Sequence, residues 1–336
     1  MDVVSGSRTY NRLKFQISQS ILFIIDIYDN FDDFLLTLDY FDDISIFDNE
    51  EMNGSVSYYQ LKTNENVTIA HIIKEKWIDK LHEHLSSQKN VNVSKISLVL
   101  SSDLKYKKKK IVEYGEKKFS DFPDEVKSKI IDCFREKNNC NQSEIDLSKF
   151  SVIKTVLTKY THKDLAKQKL TDFLEKINPE ISIRIVDLTF DSLFRRMGDK
   201  QSFELPKDAS NDLIRDKKSI SKKEFSKIID YANLITMHDF KKIAEATKDI
   251  ASEEEIGLAY AKMLSDIKKR DEDFFSLFNK SVEILDKFDM KKGLSFADNL
   301  KEYVLAIKNE NPTNFHVKLN DFYCEVIGAS LLLKKP

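Results

Sequence analysis

The chain has 336 residues, with 54 Lys or Arg and 56 Asp or Glu, so its formal net charge is −2. This length predicts about two domains with a sizeable core, and the balanced charge argues against a general nucleic-acid-coating protein, so any DNA contact must come from local basic patches. The three cysteines, Cys133, Cys140 and Cys324, form no CxxC pair and predict a reducing, cytoplasmic environment.

No membrane association is predicted. The apolar run over residues 21–25 stops at Asp26, far short of the ~20 residues that a bilayer span needs. The N-terminus also lacks a basic region followed by an apolar one, so no cleavable signal is expected.

Helices alternate with strands over the first 200 or so residues. The helical spacing of Leu13, Ile17 and Ile21 predicts a helix over 9–29. Thr68 resembles the N-cap of another helix that continues to residue 86. Further helices are predicted over 124–137 and 162–177, and strands over 34–47, 55–63, 93–101, 150–157 and 181–188. This alternation favours an α/β core.

The character of the chain changes after residue 200. A polar segment with Pro206 predicts a linker over 206–220. Beyond it, Ser252 and Glu255 match the capping-box pattern, as do Ser221 and Glu224. Helices are predicted over 222–246, 253–287, 294–308 and 316–333. The expected organisation is therefore an α/β domain over 1–205, the linker, and an all-α helical domain over 221–336.

The strands 34–47 and 55–63 carry the most informative polar residues. Because side chains alternate along a strand, Gln60 and Lys62 share one face while Leu61 points to the other. If the turn between the strands brings that face beside Asp43, the pair forms a site for a divalent cation and a phosphate.

These residue types suit phosphodiester hydrolysis, which needs charge stabilisation at the phosphoryl group and an activated water. Asp43 would supply an anionic oxygen to Mg²⁺ or Mn²⁺, and the Gln60 side chain and Leu61 carbonyl would supply neutral ones. Lys62 could hold the attacking water or offset charge in the transition state. Because Gln is a weaker ligand than Glu, Asp39 or Asp42 is expected to share the task.

Short motifs in the same region carry a family resemblance. They are Phe15-Gln16 in the first helix, Asp39-x-x-Asp42-Asp43-Ile44 on a strand, and Tyr59-Gln60-Leu61-Lys62-Thr63 on the next. With them, residues 1 to about 200 resemble the nuclease domain of the CD-NTase-associated double-stranded DNA endonucleases of bacterial anti-phage systems. That family is a branch of the PD-(D/E)xK restriction-like superfamily.

The resemblance implies a restriction-endonuclease-like α/β fold for the first domain. It also implies that Asp43, Gln60 and Lys62 form a catalytic site dependent on Mg²⁺ or Mn²⁺, with Asp43, Gln60 and Asp42 as metal ligands. Gln16 would assist from the first helix. Asp39 would contribute as well, although the family commonly has Glu at that position.

The run Lys105-Tyr106-Lys107-Lys108-Lys109-Lys110 is the strongest basic segment. Because it follows a strand end near the expected site, Lys107, Lys108, Lys109 and Lys110 are candidates for contact with DNA phosphates. The alternative is a solvated lysine-rich loop.

The sequence has no GxxxxGK[ST] loop, so any ATP consumption would fall to another polypeptide. The resemblance offers two such partners, an SMC-like ATPase, as in Lamassu-type systems, or a hexameric HerA-type ATPase. Cutting both strands of DNA needs two active sites, which favours a homo-oligomer. The function expected is a metal-dependent DNA endonuclease, the effector of an anti-phage system.

Two further functions stay open. Gln60 in place of an acid leaves room for a non-catalytic scaffold that kept the fold and lost the chemistry. The same site could also attack RNA instead of DNA.

Overall fold

The computed structural model describes residues 5–87, 91–138, 147–179, 181–235, 240–269, 272–310 and 322–333. The chain divides into two compact units. The first comprises Met1–Pro179 and Thr189–Ile228, and the second Glu180–Leu188 and Ile229–Pro336. An α/β N-terminal region and a helical C-terminal part are what the sequence predicts, and this fold class is confirmed.

The strands belong to the first unit. They are β1 (Leu35–Leu38), β2 (Ile44–Phe47), β3 (Ser55–Lys62), β4 (Asn92–Leu100), β5 (Leu104–Tyr106), β6 (Lys109–Val112), β7 (Gly115–Lys118), β8 (Phe150–Lys154) and β9 (Ser219–Ser221). Seven of them form one sheet in the order β7-β8-β4-β3-β2-β1-β9, and β5 and β6 form a separate hairpin. The pairs β3–β4 and β4–β8 are parallel, and the other pairs are antiparallel.

Helices accompany these strands along the chain. They are α1 (Ser5–Tyr28), α2 (Ile69–Lys74), α3 (Trp77–Ser87), α4 (Asp124–Asn138), α5 (His162–Ile177), α6 (Ile183–Ser202) and α7 (Asn211–Lys218), with a short 3-10 helix at Phe119–Asp121. Thr68 caps α2 as predicted, since its hydroxyl accepts a hydrogen bond from the His71 amide at 3.2 Å. The single helix predicted to continue to residue 86 is wrong, because α2 ends at Lys74, Lys76 has a φ of 55°, and α3 begins at Trp77.

Side chains on the two sides of β3 pack against different helices. Tyr58 belongs to the cluster that contains Trp77 of α3 and Leu98 of β4. Tyr59 points the other way and packs against Phe23 of α1, with ring centroids 4.5 Å apart. Because side chains alternate along the strand, Gln60 lies on the face of Tyr58.

The predicted single strand over 34–47 is wrong. It is a hairpin in which β1 and β2 pair antiparallel, Leu38 opposite Ile44. The chain reverses between them, where Asp39 has a φ of 47° and its amide donates to the Asp43 carbonyl at 3.2 Å. Asp tolerates this left-handed conformation better than most residues, and the apolar residues on both sides concealed the turn.

The strand predicted over 181–188 is also wrong, because this segment begins α6. Its buried residues Val186, Phe190, Leu193 and Met197 recur at helical spacing. The branched residues near Ile183 have high strand propensity, but that preference is weak and burial of one helix face overrides it.

Residues 206–220, predicted to be a linker, contain α7 and most of β9. The Ser210 hydroxyl caps α7 by accepting from the Leu213 amide at 3.3 Å. Ser219 pairs with Thr37 of β1, and their hydroxyls are 3.0 Å apart. The segment also buries Ile214 and Ile220, so both hydrogen bonds and apolar contacts hold it against the sheet.

The C-terminal part is helical, as predicted. Its helices are α8 (Lys222–Ile235), α9 (Phe240–Thr247), α10 (Glu253–Lys269), α11 (Glu272–Lys287), α12 (Phe296–Glu310) and α13 (Tyr323–Leu332). The capping box of α10 is present, since Glu255 accepts from the Ser252 amide at 2.9 Å and donates its own amide to the Ser252 hydroxyl at 3.4 Å. The predicted helix start at 316 lies outside the described residues.

All ten residues of α13 are buried. A Cβ added at Gly328 would approach Val304 of α12 to 2.9 Å, so glycine allows these two helices to pack closely. In the part of the chain that the structure describes, no helix combines the length and apolar character of a membrane span.

Candidate active site

The candidate site lies where the β2–β3 ladder ends. The last paired residues are Ile44 and Tyr59, which brings Asp43 opposite Gln60 just beyond them. The Leu61 amide donates to Asp43 Oδ2 at 2.6 Å, so the carboxylate accepts a hydrogen bond at the end of the ladder. This hydrogen bond holds Asp43 beside the carboxyl end of β3, the strand that carries Gln60 and Lys62.

Asp43 is the most constrained carboxylate of the site. Burial raises the pKa of Asp43, the Leu61 hydrogen bond lowers it, and the neighbouring charge of Asp42 raises it. Arg12 and Lys62 act in the opposite direction, and Arg12 Nη2 lies 3.5 Å from Asp43 Oδ1. The net raised pKa means that the ionised carboxylate lacks full compensation from the protein groups around it.

Lys62 is the last residue of β3, and its charge interacts with that of Asp43. Burial lowers the pKa of Lys62, and the charge of Asp43 is the leading influence that raises it. Its ammonium lies 5.2 Å from the centroid of the Trp77 ring on α3. The aromatic face and the nearby carboxylate keep a partly desolvated positive charge at the end of β3.

Gln60 provides the observation that best fits a bound metal. The side chain is 7 % exposed, and its Oε1 atom is buried without a hydrogen-bond partner in the described structure. A buried acceptor left unpaired is costly, so the Gln60 oxygen beside the desolvated Asp43 carboxylate fits a cation ligand. Magnesium accepts such oxygens and keeps several waters, so Asp43 and Gln60 are adequate protein ligands.

The described residues hold no cluster of three or more His, Cys, Asp or Glu side chains able to bind a metal. One carboxylate and one amide oxygen match the sparse ligand set of a Mg²⁺ ion that also contacts a phosphate.

Asp42 makes a contact that the sequence did not suggest. Its Oδ2 hydrogen-bonds with Nε2 of His84 on α3 at 3.1 Å, and its Oδ1 accepts from the Asp43 amide at 2.8 Å. The His84 ring stacks on Tyr58, with centroids 4.2 Å apart and planes at 18°. With its side chain only 9 % exposed, Asp42 is oriented from two sides next to Asp43.

We expect His84 to position Asp42 for metal binding. His84→Phe keeps a ring on Tyr58 but removes the hydrogen bond, so the Mg²⁺ concentration for half-maximal cleavage should rise about tenfold, as for other partners of metal ligands. Cleavage rates over a Mg²⁺ titration measure this, and His84→Gln should recover much of the loss. An unchanged Mg²⁺ dependence in His84→Phe would show that the contact only packs α3 onto the sheet.

The structure gives Asp39 and Gln16 other contacts. Asp39 is exposed in the β1–β2 turn, and its charge acts on the pKa of Lys218. Gln16 is buried, and its Oε1 accepts a hydrogen bond from Gln201 Nε2 of α6 at 2.5 Å. The geometry thus brings Asp43, Gln60 and Lys62 together with Asp42 beside them, without an observed link from Asp39 or Gln16 to the Asp43 carboxylate.

Two residues near the site were missed at the level of sequence. Arg12 lies four residues before Gln16 and so shares its face of α1, a signal that could have identified it. The spacing of His84 along the chain gives no indication of its contact with Asp42.

The predicted DNA-binding lysines form the tip of the β5–β6 hairpin. Lys107 and Lys108 have φ values of 47° and 66°, as a two-residue hairpin turn requires. Lys107 pairs with Glu125 at 2.5 Å and Lys110 with Asp103 at 2.9 Å. The segment is therefore an ordered hairpin in which Lys108 and Lys109 are exposed.

Comparisons with known proteins identify the family of this chain. A family model described as "Cap4, dsDNA endonuclease domain" matches residues 4–197. The chain is 28 % identical over 243 residues to the Lamassu protein LmuA of Bacillus cereus (strain VD014). The aligned region covers 70 % of this chain and 66 % of that protein, so the chain spans just under two thirds of that relative. No solved structure matches. Since the family match covers more than half of the chain, this protein belongs to the Cap4 dsDNA endonuclease domain family.

Proposed function

We propose that this chain is a metal-dependent endonuclease that cuts double-stranded DNA as the effector of a bacterial anti-phage system. Asp43, Gln60 and Lys62 are the residues to which we assign the chemistry. The observation that carries the assignment is the orphaned, buried Gln60 oxygen beside the desolvated Asp43 carboxylate. Membership of an endonuclease family supports the reaction class.

In this proposal each side chain has one role. Asp43 and Gln60 would hold Mg²⁺ or Mn²⁺, and the bound ion would supply charge stabilisation at the phosphoryl oxygens and activation of the attacking water. Lys62 places a positive charge where negative charge develops, and its partial burial strengthens that interaction. Asp42 assists as a ligand or as a neighbour that orients Asp43. Arg12, 49 % exposed at its side chain, is available to a backbone phosphate.

We assign DNA contact outside the active site to the β5–β6 hairpin. All four lysines are exposed, and Lys108 and Lys109 carry the assignment. Lys107 would exchange Glu125 for a phosphate, and Lys110 would add a contact while it keeps its ion pair with Asp103. Tyr106 lies under two cations, with Lys107 5.3 Å and Lys129 5.8 Å from its ring centroid. Basic side chains around an aromatic ring are typical of nucleic-acid surfaces.

The relative named as a Lamassu protein supports a role in a multi-protein system. We propose that a separate ATPase regulates the nuclease in the cytoplasm, an SMC-like protein first and a HerA-type ATPase as the alternative. The nuclease function belongs to residues 1–205 together with α7 and β9. Residues 221–336 would mediate homo-oligomerisation or partner docking.

The second candidate function is a scaffold without catalysis. The observation that favours it is the identity of Gln60, whose neutral amide oxygen is a weaker metal ligand than a carboxylate. Direct binding of Mg²⁺ or Mn²⁺, measured by titration calorimetry, separates a working metal site from one that has lost its metal.

Plasmid cleavage tests the proposed function. We expect nicked and linear products from supercoiled plasmid with Mg²⁺ or Mn²⁺ and none with EDTA. The rate should rise steeply with protein concentration if paired active sites are needed. An RNA of matched length should remain intact. Full activity of a monomer would contradict control by oligomerisation. Cleavage in EDTA would contradict the proposed dependence of the reaction on a divalent metal.

A further inference from the structure

A polar recess of about 370 Å³ lies beside the candidate active site, at the carboxyl ends of the parallel strands β3, β4 and β8. All of its lining residues are polar, and Lys154, Lys105 and Ser101 are among them. The Ser101 amide donates to the Lys62 carbonyl at 3.1 Å, so the recess is continuous with the end of the catalytic strand. A cavity of this size and polarity suits a charged, hydrated group better than an apolar ligand.

The sheet register relates this recess to the catalytic lysine. Lys62 is opposite Leu100, and Leu100 is opposite Lys154. Directly opposite residues project to the same face, so Lys62 and Lys154 point the same way from strands two apart, separated by about 10 Å at their backbones. That span is on the order of one to three nucleotides of a DNA strand.

Lys154 is a partly buried lysine whose ammonium has only a neutral hydrogen-bond partner among the described contacts. Burial lowers the pKa of Lys154, and the more distant charge of Asp103 opposes this. Its ammonium donates to the Thr155 carbonyl at 2.6 Å, a neutral partner. Across the recess, Lys105 Nζ donates to Asn66 Oδ1 at 3.3 Å, which is also neutral.

The recess also contains two carboxylates, and among the described residues neither forms an ion pair with Lys154. Asp103 forms an ion pair with Lys110 at 2.9 Å. Glu65 is exposed on the loop that follows β3. A bound anion would therefore meet two available ammonium groups and the hydroxyl of Ser101.

We propose that this recess binds a backbone phosphate of the substrate DNA next to the scissile one, with Lys154 as its main contact and Lys105 as a second. The phosphate held there aligns the strand across Lys62. Because it names a substrate contact, this inference rests on the proposed function.

The test is DNA binding without metal, so that it does not depend on cleavage. The affinity of a short fluorescent duplex is measured by anisotropy in EDTA over a series of KCl concentrations. Lys154→Met should weaken binding about tenfold and reduce the slope of log affinity against log salt by about one. Lys154→Arg should stay near wild type. Lys149→Met, which removes a lysine just before the opposite end of β8, is the matched control and should change neither quantity.

The outcomes separate this inference from the proposed function. Loss of the function would appear as wild type that fails to cleave plasmid, whatever the binding result. The recess assignment is overturned if Lys154→Met binds with wild-type affinity and slope, if wild type does not bind the duplex, or if Lys154→Met gains affinity for Mg²⁺, which would mark a cation site. If circular dichroism shows that Lys154→Met does not fold, Lys105→Gln replaces it. That variant should also bind the duplex more weakly and with a smaller salt slope than wild type.

Discussion

Lys62→Ala is expected to lower the rate of plasmid cleavage by ~10²–10³-fold, the loss typical of a group that stabilises charge only in the transition state. The residue stands at the end of β3 with its ammonium against the Trp77 ring, where water is partly excluded. Its removal should leave the fold intact, because burial already makes its charge costly in the native protein. Single-turnover cleavage and a melting curve measure the two effects together.

Lys80→Ala is the control for this substitution. Lys80 is an exposed lysine of α3 whose charge acts on the pKa of Lys62. It should retain most of the cleavage rate, since it lies outside the ligand set. Comparable losses in both variants would mean that net positive charge, and not the position of Lys62, supports the reaction.

Asp43→Asn should abolish both cleavage and binding of Mg²⁺ or Mn²⁺ without destabilising the protein. The amide has nearly the shape of the carboxylate, and its oxygen can still accept from Leu61. Replacing a desolvated charge by a neutral group removes the free-energy cost of burying that charge, so the melting temperature should stay level or rise. Titration calorimetry and thermal melting in EDTA provide the two measurements.

The pH dependence of this effect has a definite sign. Because the pKa of Asp43 is raised in the folded protein, the native state binds its proton more tightly than the unfolded chain. Its contribution to stability therefore falls as pH rises through the native pKa. The stability advantage of Asp43→Asn over wild type should grow from acidic to neutral pH. A variant that melts several degrees lower at neutral pH would instead make Asp43 a structural partner of Arg12.

The sequence predicts correctly those features that depend only on residues within a single helix or strand. The helical spacing that begins at Leu13 predicts α1, and the Ser252–Glu255 capping box and the Thr68 cap are local hydrogen-bond patterns that need no distant partner. The alternation of Gln60, Leu61 and Lys62 likewise follows from strand geometry. Elements were misassigned where tertiary contacts decide, as for the first turn of α6 and for β9, which pairs with β1 from far along the chain.

The sequence by itself determined the residue types, the periodicity of the elements and the presence of an α/β region followed by helices. Only the tertiary structure decided that Arg12 of α1 and His84 of α3 reach Asp43 and Asp42, and that Asp39 turns away into solvent. It also decided which groups lose water, and with that the pKa shifts of Asp43 and Lys62. Periodicity is a property of neighbouring residues, whereas desolvation and charge pairing depend on segments that meet only after the chain has folded.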